Sequence, residues 1–218
     1  MGTPEFKNAR IAMVDGQIRP ANVTHYNIIE TMLSVPREMY FPEKLKSVAY
    51  LGDHIDLGYK RFSIEPRLLA KMFNVINVRN NELVLDIGSG FGYSSSVLSN
   101  LSEAVVMVEE PKFAVEAERI LVEQSIDNVI VKAGKLCEGA EEFGPYDAVL
   151  IQGGVNKIPK KLIQQIKPGG RVVAVFVDEA VGECRIGLKT DFDISWRFEF
   201  NAIAPLLPGF VDEKPFKL

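Results

Sequence analysis

Three glycines at alternate positions follow a short apolar run in Val84-Leu85-Asp86-Ile87-Gly88-Ser89-Gly90-Phe91-Gly92-Tyr93. A turn of this kind, set between a strand and a helix, brings backbone close to a ligand, because a residue without Cβ reaches positive φ and leaves space beside its Cα. Gly88 and Gly90 suit the turn and the ligand approach, and Gly92 suits close packing of the helix that follows. The spacing D-x-G-x-G-x-G differs from the dinucleotide pattern G-x-G-x-x-G. The acid matters as much as the spacing. A pyrophosphate is best held by free amides at a helix N-terminus with no anion nearby, whereas Asp86 would repel it and favours a cationic amino group.

The next apolar run, Ala104 to Val108, leads into Glu109-Glu110. A carboxylate at that strand's end can accept from both hydroxyls of a ribose diol. Glu109 is the first choice and Glu110 the alternative. A nucleoside that also carries an amino group and a sulfonium is S-adenosylmethionine, with S-adenosylhomocysteine as its demethylated product. Its expected contacts are Asp86, Gly88, Ser89, Gly90, Gly92, Tyr93 and Glu109. Each feature alone has a plainer reading, a simple turn or a solvated helix start. Their order, together with the Lys167-Pro168-Gly169-Gly170-Arg171 turn before a later strand, favours the cofactor. A nicotinamide-dependent reductase is disfavoured by the glycine spacing.

The elements that must position these residues follow from periodicity. Short β-branched runs at Leu83–Ile87, Ala104–Glu109, Asn128–Lys132, Tyr146–Ile151 and Arg171–Val177 alternate with helical patterns. Continuous apolar strands joined by helices predict a doubly wound α/β domain whose mostly parallel sheet is covered on both faces. Arg185–Lys189 and Ile194–Asn201 alternate more and predict an antiparallel C-terminal edge. Upstream, Ile28, Ile29, Met32 and Leu33 form one helical stripe behind Thr24 as N-cap, and Leu45, Val48 and Ala49 a second after Pro42. Gly52 to Ser63 reads as a loop, and Pro66 opens a helix with Leu68, Leu69, Met72, Phe73 and Ile76 on its buried stripe. The expected organisation is an N-terminal helical layer with a substrate-side loop over 7–81 and the cofactor-binding α/β part over 82–218, as one compact unit. Met1 to Phe6 reads as a vector-derived leader, since Glu-Phe is what an EcoRI site encodes. The apolar Pro205 to Phe210 tail either packs on the core or offers a contact to a partner.

Apolar residues make up 47% of the 218 and charged residues 25%, which places the chain among ordinary globular proteins and excludes a disordered or fibrous one. The net charge of −4, with scattered Lys and Arg, argues against a nucleic-acid surface. No run approaches the length of a membrane span, and the N-terminus lacks a signal-peptide pattern. Cys137 and Cys184 stand far apart, and His25 and His54 are the only imidazoles, so neither a metal site nor a disulfide framework is expected. Reduced thiols fit a soluble cytoplasmic protein, with both histidines in surface or structural roles.

From Asp15 to about Val177 the sequence resembles the protein-L-isoaspartate O-methyltransferases, a branch of the class I S-adenosylmethionine-dependent enzymes. The residues that carry the resemblance are Val35-Pro36-Arg37-Glu38, Phe41-Pro42, Ala49-Tyr50, Leu57-Gly58-Tyr59, Pro66 and the glycine loop itself. It implies a Rossmann-like methyltransferase sheet. It also implies methyl transfer to the α-carboxylate of L-isoaspartyl residues in damaged proteins, a step toward their repair. This sequence departs from the family in two places. Where the family carries Q-T-I-S with two hydroxyls toward the substrate carboxylate, Arg61, Phe62, Ser63 and Ile64 stand here. Ser63 is then either a displaced hydroxyl or the N-cap of the Pro66 helix, and Arg61 or Arg67 is a candidate to hold the substrate carboxylate. Ala133-Gly134-Lys135-Leu136 occupies the place of the family's acid near the adenine. The alternative is a methyltransferase-like protein that binds the cofactor but has another acceptor or a non-catalytic role.

Overall fold

The computed structural model describes residues 4–178, 181–191 and 193–211. Helix α1 (Pro4–Met13) runs into a π turn over Val14–Ile18 and a 3-10 turn over Arg19–Ala21, which Asn22 ends in the left-handed region. Pro4–Phe6, expected as a leader, form the first turn of this helix, and the Phe6 ring lies 6.5 Å from that of Tyr50. Helix α2 (Tyr26–Ser34) begins after His25 and not Thr24, and no side chain caps it. The stripe after Pro42 is a 3-10 turn over Glu43–Val48, not an α-helix, and a second such turn covers Arg37–Tyr40.

Gly52 to Ser63, read as a loop, contains a hairpin of β1 (Ile55–Gly58) and β2 (Arg61–Ser63). Tyr59 and Lys60 between the strands have φ of 56° and 60°, the two left-handed residues that a tight hairpin turn requires. The usual Asn-Gly or Asp-Gly signal is missing, so the turn is invisible in the composition. Helix α3 (Pro66–Ile76) opens on Pro66 and ends at Asn77 in the left-handed region.

The strands β3 (Leu83–Ile87), β4 (Ala104–Glu109), β5 (Val129–Ala133), β6 (Tyr146–Val155), β7 (Ile166–Asp178), β8 (Val181–Lys189) and β9 (Ile194–Asn201) form one sheet in the order β5-β4-β3-β6-β7-β8-β9. The first five in that order pair in parallel and β8 and β9 antiparallel, as the patterning predicts. β6 and β7 run longer than their apolar runs. The expected Lys167-Pro168-Gly169-Gly170 turn is absorbed into β7, where the register with β6 shifts between Tyr146 and Ala148. Helices α4 (Tyr93–Ser99), α5 (Pro111–Glu123) and the short α6 (Lys160–Ile163) complete the crossovers.

Strand residues alternate between two cores, the period-2 consequence of a sheet covered on both faces. Val84, Val105, Met107, Leu150 and Val173 join a cluster with α2, α3 and α4, including Ile28, Met32, Leu69, Phe73 and Val97. Leu85, Ile87, Val106, Val149 and Val172 join the other with Tyr146, Leu162, Leu207 and Phe210. The Pro205 to Phe210 tail therefore packs on the core. It is tied there by Gly154 N to Pro205 O and Leu207 N to Gly154 O, both 2.8 Å.

Candidate active site

The chain passes outward from β3 to β4 and β5, then returns to place β6 on the other side of β3. In such sheets the ligand crevice opens outside the carboxyl ends of the strands flanking that reversal. Ile87 pairs with Ile151, so the crevice begins at Gly88 on one side and Gln152 on the other. Gly88, Gly90 and Gly92 have φ of 82°, 65° and 96°, so all three use the freedom that their sequence pattern promised. Gly92 is the residue before α4, and a Cβ there would meet the Leu121 side chain of α5 at 3.6 Å.

Asp86 is fully buried one residue before the turn, and its carboxylate is engaged by the chain itself. Oδ2 accepts from the hydroxyls of Ser94 (2.6 Å) and Ser95 (2.7 Å), and Oδ1 from Gln152 Nε2 at 2.5 Å. Ser89 Oγ joins the same group by sharing a hydrogen bond with Ser94 Oγ at 2.7 Å. Burial pushes the Asp86 carboxyl up to about 6, against the pull of these donors. Asp86 thus fastens the start of α4 to β3 and β6. Gln152 was missed in the sequence, although a lone amide in the buried run of β6 was a signal.

Glu109 lies at the carboxyl end of β4, fully buried. Arg61 Nε donates to its Oε1 at 3.0 Å and Nη2 to its Oε2 at 2.7 Å, a fork-on-carboxylate ion pair with Arg61 1% exposed. Gly90 N donates to Oε2 at 2.7 Å and Glu110 N to Oε1 at 2.9 Å. The predicted ribose carboxylate is in the predicted place, and it is Arg61 that holds it. The Arg61 guanidinium, a candidate for the substrate carboxylate, is paired with Glu109 in this structure. Glu110, half-buried, precedes α5 and makes no side-chain cap bond.

Tyr93, expected at the cofactor, packs between Arg37 and Tyr40. Its ring is 3% exposed, lies 4.5 Å below the Arg37 guanidinium and makes an edge contact with Tyr40. Ser63 is not a helix cap: residue 65 precedes α3, and the Ser63 hydroxyl accepts from Arg37 Nη2 at 2.9 Å. Arg67 is exposed on the first turn of α3 beside Glu65, at 3.1 Å. The His54 ring accepts from Glu65 N at 3.1 Å and meets Ile203 O at 3.0 Å, and His25 precedes α2. Among the described residues no group of His, Cys, Asp and Glu could hold a metal ion, and no helix is long and apolar enough to cross a membrane. Cys137 and Cys184 are free, and burial pushes the Cys184 thiol up to about 12.

At the stretch after β5, Gly134 N donates to Glu109 O at 3.0 Å and Leu136 is buried, so no side-chain acid faces this end of the crevice from Ala133 to Leu136.

The profile of the protein-L-isoaspartate(D-aspartate) O-methyltransferase family matches residues 8–183. A protein-L-isoaspartate O-methyltransferase of Syntrophus aciditrophicus is 35% identical over 77% of this chain and 78% of its own length. One from Syntrophobacter fumaroxidans is 32% identical over 82% and 84%. Among solved structures, a protein-L-isoaspartate O-methyltransferase superposes with a TM-score of 0.80 at 24% identity, over 92% of this chain and 66% of that one. A Plasmodium falciparum structure, described as a beta-aspartate methyltransferase in complex with S-adenosyl-L-homocysteine, superposes with a TM-score of 0.76 at 16% identity, over 91% and 97%. These likenesses carry the fold, and the profile and the sequence relatives carry the family. The chain belongs to the protein-L-isoaspartate(D-aspartate) O-methyltransferase family.

Proposed function

We propose that the chain transfers a methyl group from S-adenosylmethionine to the α-carboxylate of L-isoaspartyl residues in damaged proteins and peptides. The observation that carries this reading is the continuous family match over 8–183, which includes the glycine turn and the acid at the end of β4. The donor set fits the cofactor in kind: two positions without a Cβ, Gly88 and Gly90, and Glu109 as acceptor for a ribose diol. S-adenosylmethionine, when bound, supplies a methyl group activated by the adjoining sulfonium. The acceptor carboxylate is already ionised near neutral pH, so the chain needs no strong general base, and a site poor in imidazole and thiol suffices.

What the chain supplies is position and dryness. Asp86, Ser94, Ser95 and Gln152 fix the glycine turn against β3 and β6, so that the Gly90 amide and Glu109 keep their mutual geometry. The family's two hydroxyls are replaced by Phe62, half-buried, and Ile64, which is 2% exposed in the core. Help for the acceptor carboxylate must then come from backbone or from Arg67. Slow turnover on isoaspartyl peptides is the expected result. The test is transfer of labelled methyl to an isoaspartyl peptide beside its aspartyl twin, scored as base-labile methanol. Label in the isoaspartyl peptide alone supports the reading, and label in neither, with cofactor bound, favours a different acceptor.

A further inference from the structure

The crevice outside Ile87 and Ile151 is filled by three side chains that the large sheet does not supply. Arg61 comes from β2, Leu57 from β1 and Leu207 from the tail. A Cβ built on Gly88 would lie 2.9 Å from Arg61 Nη2 and 3.2 Å from Leu207 Cδ1, and one on Gly90 would lie 2.8 Å from Leu57 Cδ1. The bare glycine faces, which should admit a ligand, admit the chain's own groups.

Glu109 is used to capacity. Its two oxygens have about four lone-pair positions. Arg61 Nε, Arg61 Nη2, Gly90 N and Glu110 N each donate to them. No acceptor position is left for a diol. A ligand that reads this carboxylate must take the place of Arg61.

We propose that the β1–β2 hairpin is a latch on the cofactor cleft. In the resting protein the Arg61–Glu109 pair holds it shut, and a nucleoside enters by exchanging its ribose diol for the guanidinium on the same carboxylate. The inference rests on the reading that this cleft takes S-adenosylmethionine. The hairpin is a separate two-stranded sheet with no ladder to the large one, a unit that is marginal by itself. At its tip the exposed Tyr59 ring stands edge-on to the buried Phe113 of α5 at 6.5 Å, with Lys112 Nζ 3.3 Å from the Tyr59 centroid. Exchange also avoids leaving a buried carboxylate without a partner, which is the costly outcome when one member of such a pair departs alone.

The experiment is calorimetric titration of the full chain with S-adenosylhomocysteine. Arg61→Gln removes the competitor and should tighten binding at least tenfold. As a second arm, Tyr59→Cys with Lys112→Cys, in a Cys137→Ser background, is bridged by a reducible bis-maleimide. The bridged form should bind at least tenfold more weakly, and reduction of the bridge should restore affinity. Hydrogen exchange of amides 56–63 should speed up on addition of ligand to the wild type. Equal affinity in the wild type, Arg61→Gln and the bridged form would leave the cleft reading intact and remove the latch. Weaker binding by a folded Arg61→Gln would also remove it, making Arg61 a ligand contact. Binding by none of the forms would overturn the cleft reading, and the latch with it.

Discussion

Arg37 and Ser63 are joined by a hydrogen bond of 2.9 Å from Nη2 to Oγ, which ties the turn after α2 to the end of the hairpin. The same guanidinium donates to Ala49 O and Ile64 O, both at 2.8 Å, and lies over the rings of Tyr93 and Phe41. It is wholly buried, and burial pulls its pKa below the usual guanidinium value. A buried cation held by carbonyls, one hydroxyl and two ring faces organises the N-terminal layer. Ser63 serves that cation.

Ser63→Ala should therefore act on stability more than on binding. Loss of one hydrogen bond to a buried charged group costs about 1.5–3 kcal/mol, read as a lower urea midpoint with unchanged slope. Affinity for S-adenosylhomocysteine should stay within about twofold, since ~0.4 kcal/mol or less is at stake when no ligand contact is lost. Arg37→Lys should cost more stability than Ser63→Ala, because one ammonium cannot replace a planar fork against three acceptors. A Ser63→Ala protein with wild-type stability and collapsed methyl transfer would reverse the assignment.

Asp86 gives stability a pH dependence of known sign. Its carboxyl rises from the ordinary 3.8 to about 6 in the folded protein. Between those values the native state holds a proton that the unfolded chain releases, so this group's contribution is fully present below about 3.8 and is lost as pH rises through about 6. At about 1.4 kcal/mol per pKa unit, the change is on the order of 3 kcal/mol. The stability difference between the wild type and Asp86→Asn, measured by denaturation at pH 4, 5, 6 and 7, should shift against the wild type by that amount. A flat difference would mean that Asp86 is ionised throughout.

The sheet is readable because its inner strands are continuous apolar runs and its last strand alternates: Leu83–Ile87, Ala104–Glu109 and Ile194–Asn201 match residue for residue. The glycine turn and the end position of Glu109 were readable for the same local reason. What stayed hidden was tertiary. Nothing near Arg61 in sequence announces that its partner is Glu109, 48 positions away, and nothing in Pro205 to Phe210 announces that Leu207 would lie against Gly88. The hairpin escaped because strands of four and three residues give no periodicity and its turn residues are Tyr59 and Lys60. The motif marks Asp86 and Tyr93, but not the partners they meet: Ser94, Ser95 and Gln152 for Asp86, Arg37 and Tyr40 for Tyr93.

Restoring the family's hydroxyls is position-dependent. Ile64 belongs to the larger core cluster, so Ile64→Ser removes a packed side chain and buries a hydroxyl there, a loss of about 2–5 kcal/mol. Phe62 is only half-buried, and Phe62→Thr should be tolerated. The expected order of thermal midpoints is wild type, then Phe62→Thr, then Ile64→Ser, with any gain in methyl transfer confined to Phe62→Thr. Greater activity in Ile64→Ser at wild-type stability would show that residue 64 reaches the acceptor.

Glu109 and Glu110 are adjacent in sequence and opposite in consequence. Glu109→Ala strands a buried guanidinium and also frees the Gly90 and Glu110 amides of their acceptor, so stability should fall by about 3–5 kcal/mol. Binding of S-adenosylhomocysteine should weaken by about 1–3 kcal/mol through loss of the diol's acceptor. Glu110→Ala, at a half-buried position without a cap bond, should change either quantity by less than about 0.5 kcal/mol. The two losses at residue 109 have different origins, and Arg61→Met separates them. In the double variant Glu109→Ala with Arg61→Met the stranded charge is gone, so much of the stability should return, short of full recovery because two amides still lack an acceptor. The binding loss should remain, since the diol still finds no carboxylate. Recovery of both together would mean that Glu109 matters to the ligand only by holding Arg61, and that the ribose is read elsewhere.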